Sequence, residues 1–286
     1  MISDITLGQF FPGYSVVHKL DPRTKIIIAV MFIVTVFLAN NPLTLALLGF
    51  ITFTMILLSR ISLNVIFKAI KPLVFILTFT ALLNLFLTKG SSAPLLSFWV
   101  FEIYEEGIVR AAFMFFRVII FILSSTVLLT YTTSPISLTD GLESLMAPLK
   151  KIKVPVHAFA MMMSIALRFI PILVEETEKI MNAQKSRGAD FSSGGLIKRA
   201  KALIPILIPL LASAFNRADE LATAMECRCY RGDKNRTKLV KLEYKGRDIV
   251  WMLSFVIIMA AVILLRILPY NYEIDSAILK IFFYKV

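Results

Sequence analysis

Five apolar runs, at 26–39, 43–58, 72–87, 111–130 and 249–268, limit what this chain can fold into more than any other feature. A membrane-crossing helix needs about 20 mainly apolar residues, within a range of about 17–25, and several such runs in one chain call for lipid. The composition agrees. Hydrophobic residues make up 58% of the chain, charged residues 17%, and the mean hydropathy is +0.79, whereas globular chains are about 45–50% apolar and about 25% charged. The expected fold class is an all-α integral membrane protein with about five transmembrane helices. The first two runs are short and fit best as a tight hairpin turning at Asn40-Asn41-Pro42.

The formal charge of +12 reflects 31 Lys and Arg against 19 Asp and Glu. In a membrane protein, basic residues gather on the cytoplasmic side, which makes nucleic acid an unlikely partner. Lys19, Arg23 and Lys25 precede the first run, and Arg60, Lys68 and Lys71 separate the second from the third. Residues 89–110 hold two basic and three acidic residues and read as external. Residues 132–247 carry nineteen Lys and Arg against eleven Asp and Glu and read as cytoplasmic. The amino terminus is then inside and the carboxyl terminus, from Tyr270 onward, outside. The expected domains are 1–131, four spans; 132–247, cytoplasmic; and 248–286, a last span with an external tail. A sixth run, 203–215, reaches only about 20 Å as a helix against a hydrocarbon core of about 30 Å, so it is expected not to span.

Within 132–247 the apolar residues recur at helical spacing. A short helix is expected from Ser137 to about Lys151. A second begins after Pro155 and ends at Gly188, with Phe159, Met162, Met163, Ala166, Phe169, Ile170 and Leu173 on one face. A third runs from about Leu196 to Gly232, where Ala214, Ala218 and Ala222 at four-residue steps let another backbone come close. The last two are long and are expected to cross.

Their ends repeat at an offset of 44. Glu175-Glu176 matches Asp219-Glu220, Met181 matches Met225, and Arg187-Gly188 matches Arg231-Gly232. A single Arg-Gly is explained by helix termination, since Gly adopts the left-handed conformation and a basic residue suits the carboxyl end of the dipole. Two in one larger repeat point instead to a partner that comes in two similar copies. Acid pairs such as Glu175-Glu176 read as salt-bridging surface, and Arg117 as a residue reaching toward the external face.

No glycine-rich phosphate cradle occurs, so ATP energy would have to come from another chain. Cys227 and Cys229 project about 200° apart on a helix, and His18 and His157 lack neighbouring ligands. No metal, cofactor or catalytic residue is expected.

The sequence resembles the transmembrane T component of energy-coupling-factor (ECF) vitamin transporters. The likeness rests on His18-Lys-Leu-Asp-Pro-Arg-Thr-Lys25, Thr133-Ser-Pro135 with Leu138-Thr-Asp-Gly-Leu-Glu143, Met161-Met-Met-Ser-Ile-Ala-Leu-Arg-Phe-Ile-Pro171, and the two Arg-Gly pairs. It covers nearly the whole chain. The family carries Ala-Arg-Gly at the two helix ends, where this chain has Ser186-Arg187-Gly188 and Tyr230-Arg231-Gly232. The resemblance implies a non-catalytic subunit of a bacterial cell membrane, with three cytoplasmic coupling helices. Two ABC-type ATPases would dock on Arg187-Gly188 and Arg231-Gly232, with Glu176, Met181, Glu220 and Met225 as supporting positions. A membrane-embedded S component would bind the vitamin and pack on Met162, Met163, Phe169, Ala214, Ala218 and Ala222. An autonomous secondary transporter and a dedicated cobalt or nickel T component are the alternatives. A membrane enzyme is disfavoured, because no spacing of His and acids assembles a polar site.

Overall fold

The computed structural model describes residues 10–87, 96–98, 101–189, 191, 195–232 and 242–267. Eight α-helices account for most of them: α1 Pro22–Leu38, α2 Pro42–Ser59, α3 Leu63–Leu87, α4 Glu105–Ser125, α5 Pro135–Leu145, α6 Val156–Ser186, α7 Leu196–Cys227 and α8 Gly246–Ile267. A π-helical segment, Thr126–Tyr131, continues α4, and a 3-10 turn, Ala147–Ile152, follows α5. Outside the helices lies one antiparallel pair of three-residue strands, β1 Leu96–Phe98 and β2 Phe101–Ile103. Any structure from Tyr270 onward, where an external tail is expected, lies outside the described residues.

Two units form. One contains residues 10–134 and 242–267 of the described chain, the other residues from 135 up to the Lys241–Leu242 boundary. In the first, α1 packs on α4 and α8, and α4 packs on α2 and α3. Its core joins Ile28, Phe32 and Val36 of α1 to Leu48 and Met55 of α2, Ile120 of α4, Leu128, and Phe255 and Val262 of α8. Phe32 meets Phe255 edge-on at 5.8 Å between ring centroids, a favoured aromatic geometry. In the second unit α6 packs on α5 and α7.

Local sequence signals explain most helix boundaries. Asp21 caps α1, its carboxylate accepting the Arg23 N–H at 2.9 Å, and Pro22 occupies the first helical position, where its missing N–H costs nothing. The turn at 39–41 is where the sequence places it. There Thr44 and Asn41 form a capping box at the start of α2, satisfying two otherwise orphaned donors. Helix α3 starts nine residues before its apolar run and carries Lys68 and Lys71 inside its early turns, so these two residues lie on a helix and not in a connector. Arg117 reaches toward the turn that follows α1. Its Nη2 donates to the carbonyl of Ala39, the C-cap of α1, and its guanidinium lies 4.7 Å from the Phe113 ring. A cation satisfying the last carbonyls of a helix also complements its dipole.

Five helices are long and apolar enough to cross a membrane: 42–59, 107–131, 156–186, 201–227 and 246–266. Three overlap the apolar runs of the sequence. The other two are α6 and α7, whereas α1, at 17 residues, is near the short limit and α3 contributes a shorter apolar stretch, 70–86. The length argument against 203–215 does not survive, because that run is the middle of the 32-residue α7, which continues through Pro205 and Pro209.

Candidate functional site

Helices α6 and α7 are amphipathic but almost uncovered. Only Val156 is fully buried on α6, and Ile206 is the buried apolar residue of α7. Met162 is 54% exposed and Met163 57%, and Phe159, Leu207, Leu211 and Phe215 are exposed too. Phe169 and Ala214 are half-buried, while Ala218 and Ala222 lie open. A contiguous apolar surface of this kind on a folded chain marks an interaction site, and methionine adapts its shape to more than one partner.

An ion pair joins the two helices. Arg217 Nη2 donates to Glu176 Oε2 at 3.0 Å, and Ser213 also bonds the Glu176 carboxylate. Ser213 and Arg217 stand one turn apart and both face α6, beside Ala214. Within the small-residue stripe Ala214 is half-buried, with Ala218 and Ala222 left open. Glu176 is drawn into this pair while its repeat counterpart Glu220 is exposed, so the two copies of the repeat are not equivalent. A second polar pair, His157 Nδ1 with Glu143 Oε1 at 3.0 Å, ties α6 to α5. Arg217 did not stand out in the sequence, and Glu143 did so only as part of a motif, because no periodicity links residues 41 or 14 positions apart.

The two Arg-Gly pairs differ in a way the repeat hides. At the end of α6, Arg187 is the C-cap and Gly188, at φ +86°, takes the left-handed position. The Ala189 N–H bonds to the Gln184 carbonyl at 3.0 Å and the Gly188 N–H to Lys185 at 2.9 Å, a Schellman end. At the end of α7 the same pattern falls earlier. Arg228 is the C-cap, Cys229 at φ +54° takes the left-handed position, and the Tyr230 N–H bonds to Met225 at 3.0 Å. Arg231-Gly232 thus follows the helix end by three residues, and α7 does not run to Gly232. Helix termination accounts for Gly188 and leaves Gly232, at φ +75°, unexplained. Arg187 and Arg231 are both exposed, Gly188 is exposed, Gly232 is half-buried, and Met181 and Met225 are half-buried on their helices. A Cβ on either glycine would meet nothing within 4 Å, so the space around both pairs is open.

A bundle of apolar helices with five long enough to cross a bilayer among the described residues defines a multi-pass membrane protein. The cobalt transport protein family (CbiQ) matches residues 13–239. The energy-coupling factor transporter transmembrane protein EcfT of Clostridium kluyveri is 49% identical over 267 residues, which is 93% of this chain and 98% of that protein. The EcfT proteins of Bacillus subtilis and Brevibacillus brevis are 47% identical over 267 residues and 51% over 259, covering 93% and 90% of this chain and 100% and 97% of theirs. The chain belongs to this family, as a T component of the EcfT type in an ECF transporter of a bacterial membrane.

Proposed function

We propose that this chain is the energy-coupling subunit of an ECF-type importer. It passes the motion of two cytoplasmic ATPases to a membrane-embedded S component that binds a vitamin. Hydrolysis of ATP belongs to the partners. The observation that carries this reading is the pair of exposed Arg-Gly sites, the second of which no helix end requires. Each arginine offers two parallel bonds to a carboxylate, which suits a matching acidic groove on each of two similar ATPases. Glu176, Met181, Glu220 and Met225 support the two helix ends. The S component packs on Met162, Met163, Phe169, Ala214, Ala218 and Ala222, of which Met162, Met163, Ala218 and Ala222 lie open.

This reading keeps α5, α6 and α7 on the cytoplasmic side. Two consecutive spanning helices would carry Arg187 and Arg231 to opposite faces of the membrane, and one set of ATPases could not reach both. Residues 1–131 and 248–286 form the membrane part and 132–247 the coupling part, with the amino terminus inside and the carboxyl terminus outside. The bilayer covers the outward apolar faces of the first part.

Affinity purification of the chain from cells expressing its neighbouring transporter genes tests the reading. It expects two ATPase chains per T component, with micromolar ATP binding present in the complex and absent from the chain alone. Recovery of an active transporter without any ATPase would contradict it.

A further inference from the structure

The basic residues of His18-Lys-Leu-Asp-Pro-Arg-Thr-Lys25 precede the first apolar run, where a cytoplasmic surface position is expected of them. The structure does something else with one of them. Lys25 is 2% exposed, and its Nζ donates to the carbonyl of Thr132 at 2.7 Å and to that of His18 at 3.2 Å. Thr132 ends the π-helical segment, where i→i+5 pairing leaves carbonyls to be satisfied by other groups. The Thr132 and Thr133 hydroxyls bond back to the Leu128 carbonyl at 2.8 and 3.2 Å. Asp248, 1% exposed, divides its carboxylate: Oδ1 accepts the Asp21 N–H at 2.9 Å and Oδ2 the Lys245 N–H at 2.8 Å. Arg23 bonds both Asp21 oxygens, Nε to Oδ1 and Nη2 to Oδ2, each at 3.1 Å, and its guanidinium lies 4.0 Å over the Tyr244 ring. His18 Nε2 bonds the Phe11 carbonyl at 2.9 Å, and the Phe11 N–H bonds the Tyr131 carbonyl at 3.1 Å.

These contacts converge on particular places in the chain. The chain leaves the membrane unit between residues 134 and 135 and returns to it between 241 and 242. Lys25 holds a carbonyl two residues before the departure. Asp248 and Arg23 hold residues 244 and 245, just after the return. One eight-residue segment therefore grips the chain at both crossings.

Capping does not require this arrangement. Asp21 already caps α1 from its own side chain, and an ordinary cap on α8 would use both oxygens of its acid locally. A lysine buried against carbonyls is a poor choice for stability, since an apolar residue would avoid the desolvation cost. Buried ionic groups do enforce a unique arrangement, because the alternatives leave charges unpaired.

We propose that residues 18–25 and Asp248 form a single anchor that fixes the spacing of the two crossings. Movement of the coupling helices is then delivered to the membrane unit and not absorbed in the connectors. Lys25 and Asp248 are its positioning residues. The inference rests on the energy-coupling role proposed above.

The test uses the whole complex carrying Lys25→Met or Asp248→Asn; a single amide oxygen is a poorer acceptor for two N–H groups than a divided carboxylate. Spin labels at Ile136 and Glu243, both exposed, replace residues beside the crossings in a Cys227→Ser/Cys229→Ser background. Wild type is expected to show one narrow label distance, the same without nucleotide and with ATP and vanadate. Each variant is expected to broaden it into several distances. Recovery of the ATPases should stay within about twofold of wild type, because Arg187 and Arg231 are untouched. Uptake per ATP hydrolysed should fall at least about tenfold, measured with whichever of tritiated riboflavin, folate or thiamine wild-type cells accumulate. A merely structural role would lower recovery and leave this ratio unchanged. If Lys25→Met fails to insert, Asp248→Asn decides. A narrow distance and a wild-type ratio in the inserted variants would overturn the anchor. Absence of ATPases from the wild-type complex would instead overturn the coupling role, with the label distances still deciding the anchor.

Discussion

Helix α2 and helix α6 are both apolar enough to cross a membrane, yet 39% of the apolar window of α2 is buried within the fold and only 6% of that of α6. The same figure for α7 is 6%. In the membrane unit, aromatic and aliphatic side chains interlock around Phe32, Leu48 and Phe255, and Lys25 and Asp248 are buried with hydrogen-bond partners. In the unit formed by α5, α6 and α7, polar pairs hold the helices together and the apolar faces stay open. The coupling role proposed above would draw on that difference: one part keeps its shape, and partners complete the surface of the other.

The sharpest way to break this comparison is to truncate one apolar side chain in each unit. Phe32→Ala removes a buried ring and leaves a cavity, so it should cost about 3–5 kcal/mol and lower the melting temperature of the detergent-purified chain. Met162→Ala touches an open surface and should change stability by less than about 0.5 kcal/mol, while weakening recovery of the S component. Equal destabilisation by the two would erase the distinction between the units.

A smaller effect sharpens the difference between the two helix ends. Cys229 adopts a left-handed conformation at φ +54° that costs a residue with a Cβ about 1–2 kcal/mol. Cys229→Gly should therefore stabilise the α7 end by about 1 kcal/mol, seen as about fivefold slower hydrogen exchange at the Tyr230 amide. Gly188→Ala should do the reverse at the Ala189 amide. Faster exchange in Cys229→Gly would mean that α7 ends elsewhere.

The smallest effect concerns pH. Partial burial, followed by the Lys25 charge, lowers the His18 pKa below 6.5, against the opposing pull of the Phe11 carbonyl. That carbonyl can only accept, so neutral His18 carries its proton on Nε2, and Nδ1 accepts from the Ser15 hydroxyl at 2.7 Å. The folded state binds fewer protons than the unfolded one. The contribution is complete above about pH 6.5 and is lost as pH falls from there through the folded value. Melting between pH 7.5 and 5.5 should show a small decline that His18→Gln abolishes. An unchanged slope in that variant would assign the decline to other groups.

Much of the architecture was legible in the sequence because its causes are local. Apolar runs placed α2, α4 and α8, Asn-Asn-Pro marked the hairpin, and the amphipathic spacing marked α6. The start of α3 was not legible, since Asn64, Lys68 and Lys71 interrupt its first apolar residues. The partner of Arg117 was not legible, because the helix end it satisfies, at Ala39, lies 78 residues away. The pairing of Asp21 with Asp248 spans 227 residues, and nothing in composition or spacing announces it. The repeat located both arginines but misplaced the second relative to its helix, because Cys229 ends α7 before Gly232 is reached.

Recovery of the two ATPases by an Arg187→Ala/Arg231→Ala variant that inserts at wild-type levels tests the central claim most directly. Truncating one partner of a buried interfacial charge pair costs about 2–5 kcal/mol, or about 30- to 5000-fold in affinity. Each single variant should weaken recovery, and the double variant should lose it almost completely, because avidity disappears with the second contact. Full recovery of both ATPases with wild-type uptake would contradict the docking role and reduce Arg187 to a helix end and Arg231 to an ordinary surface residue.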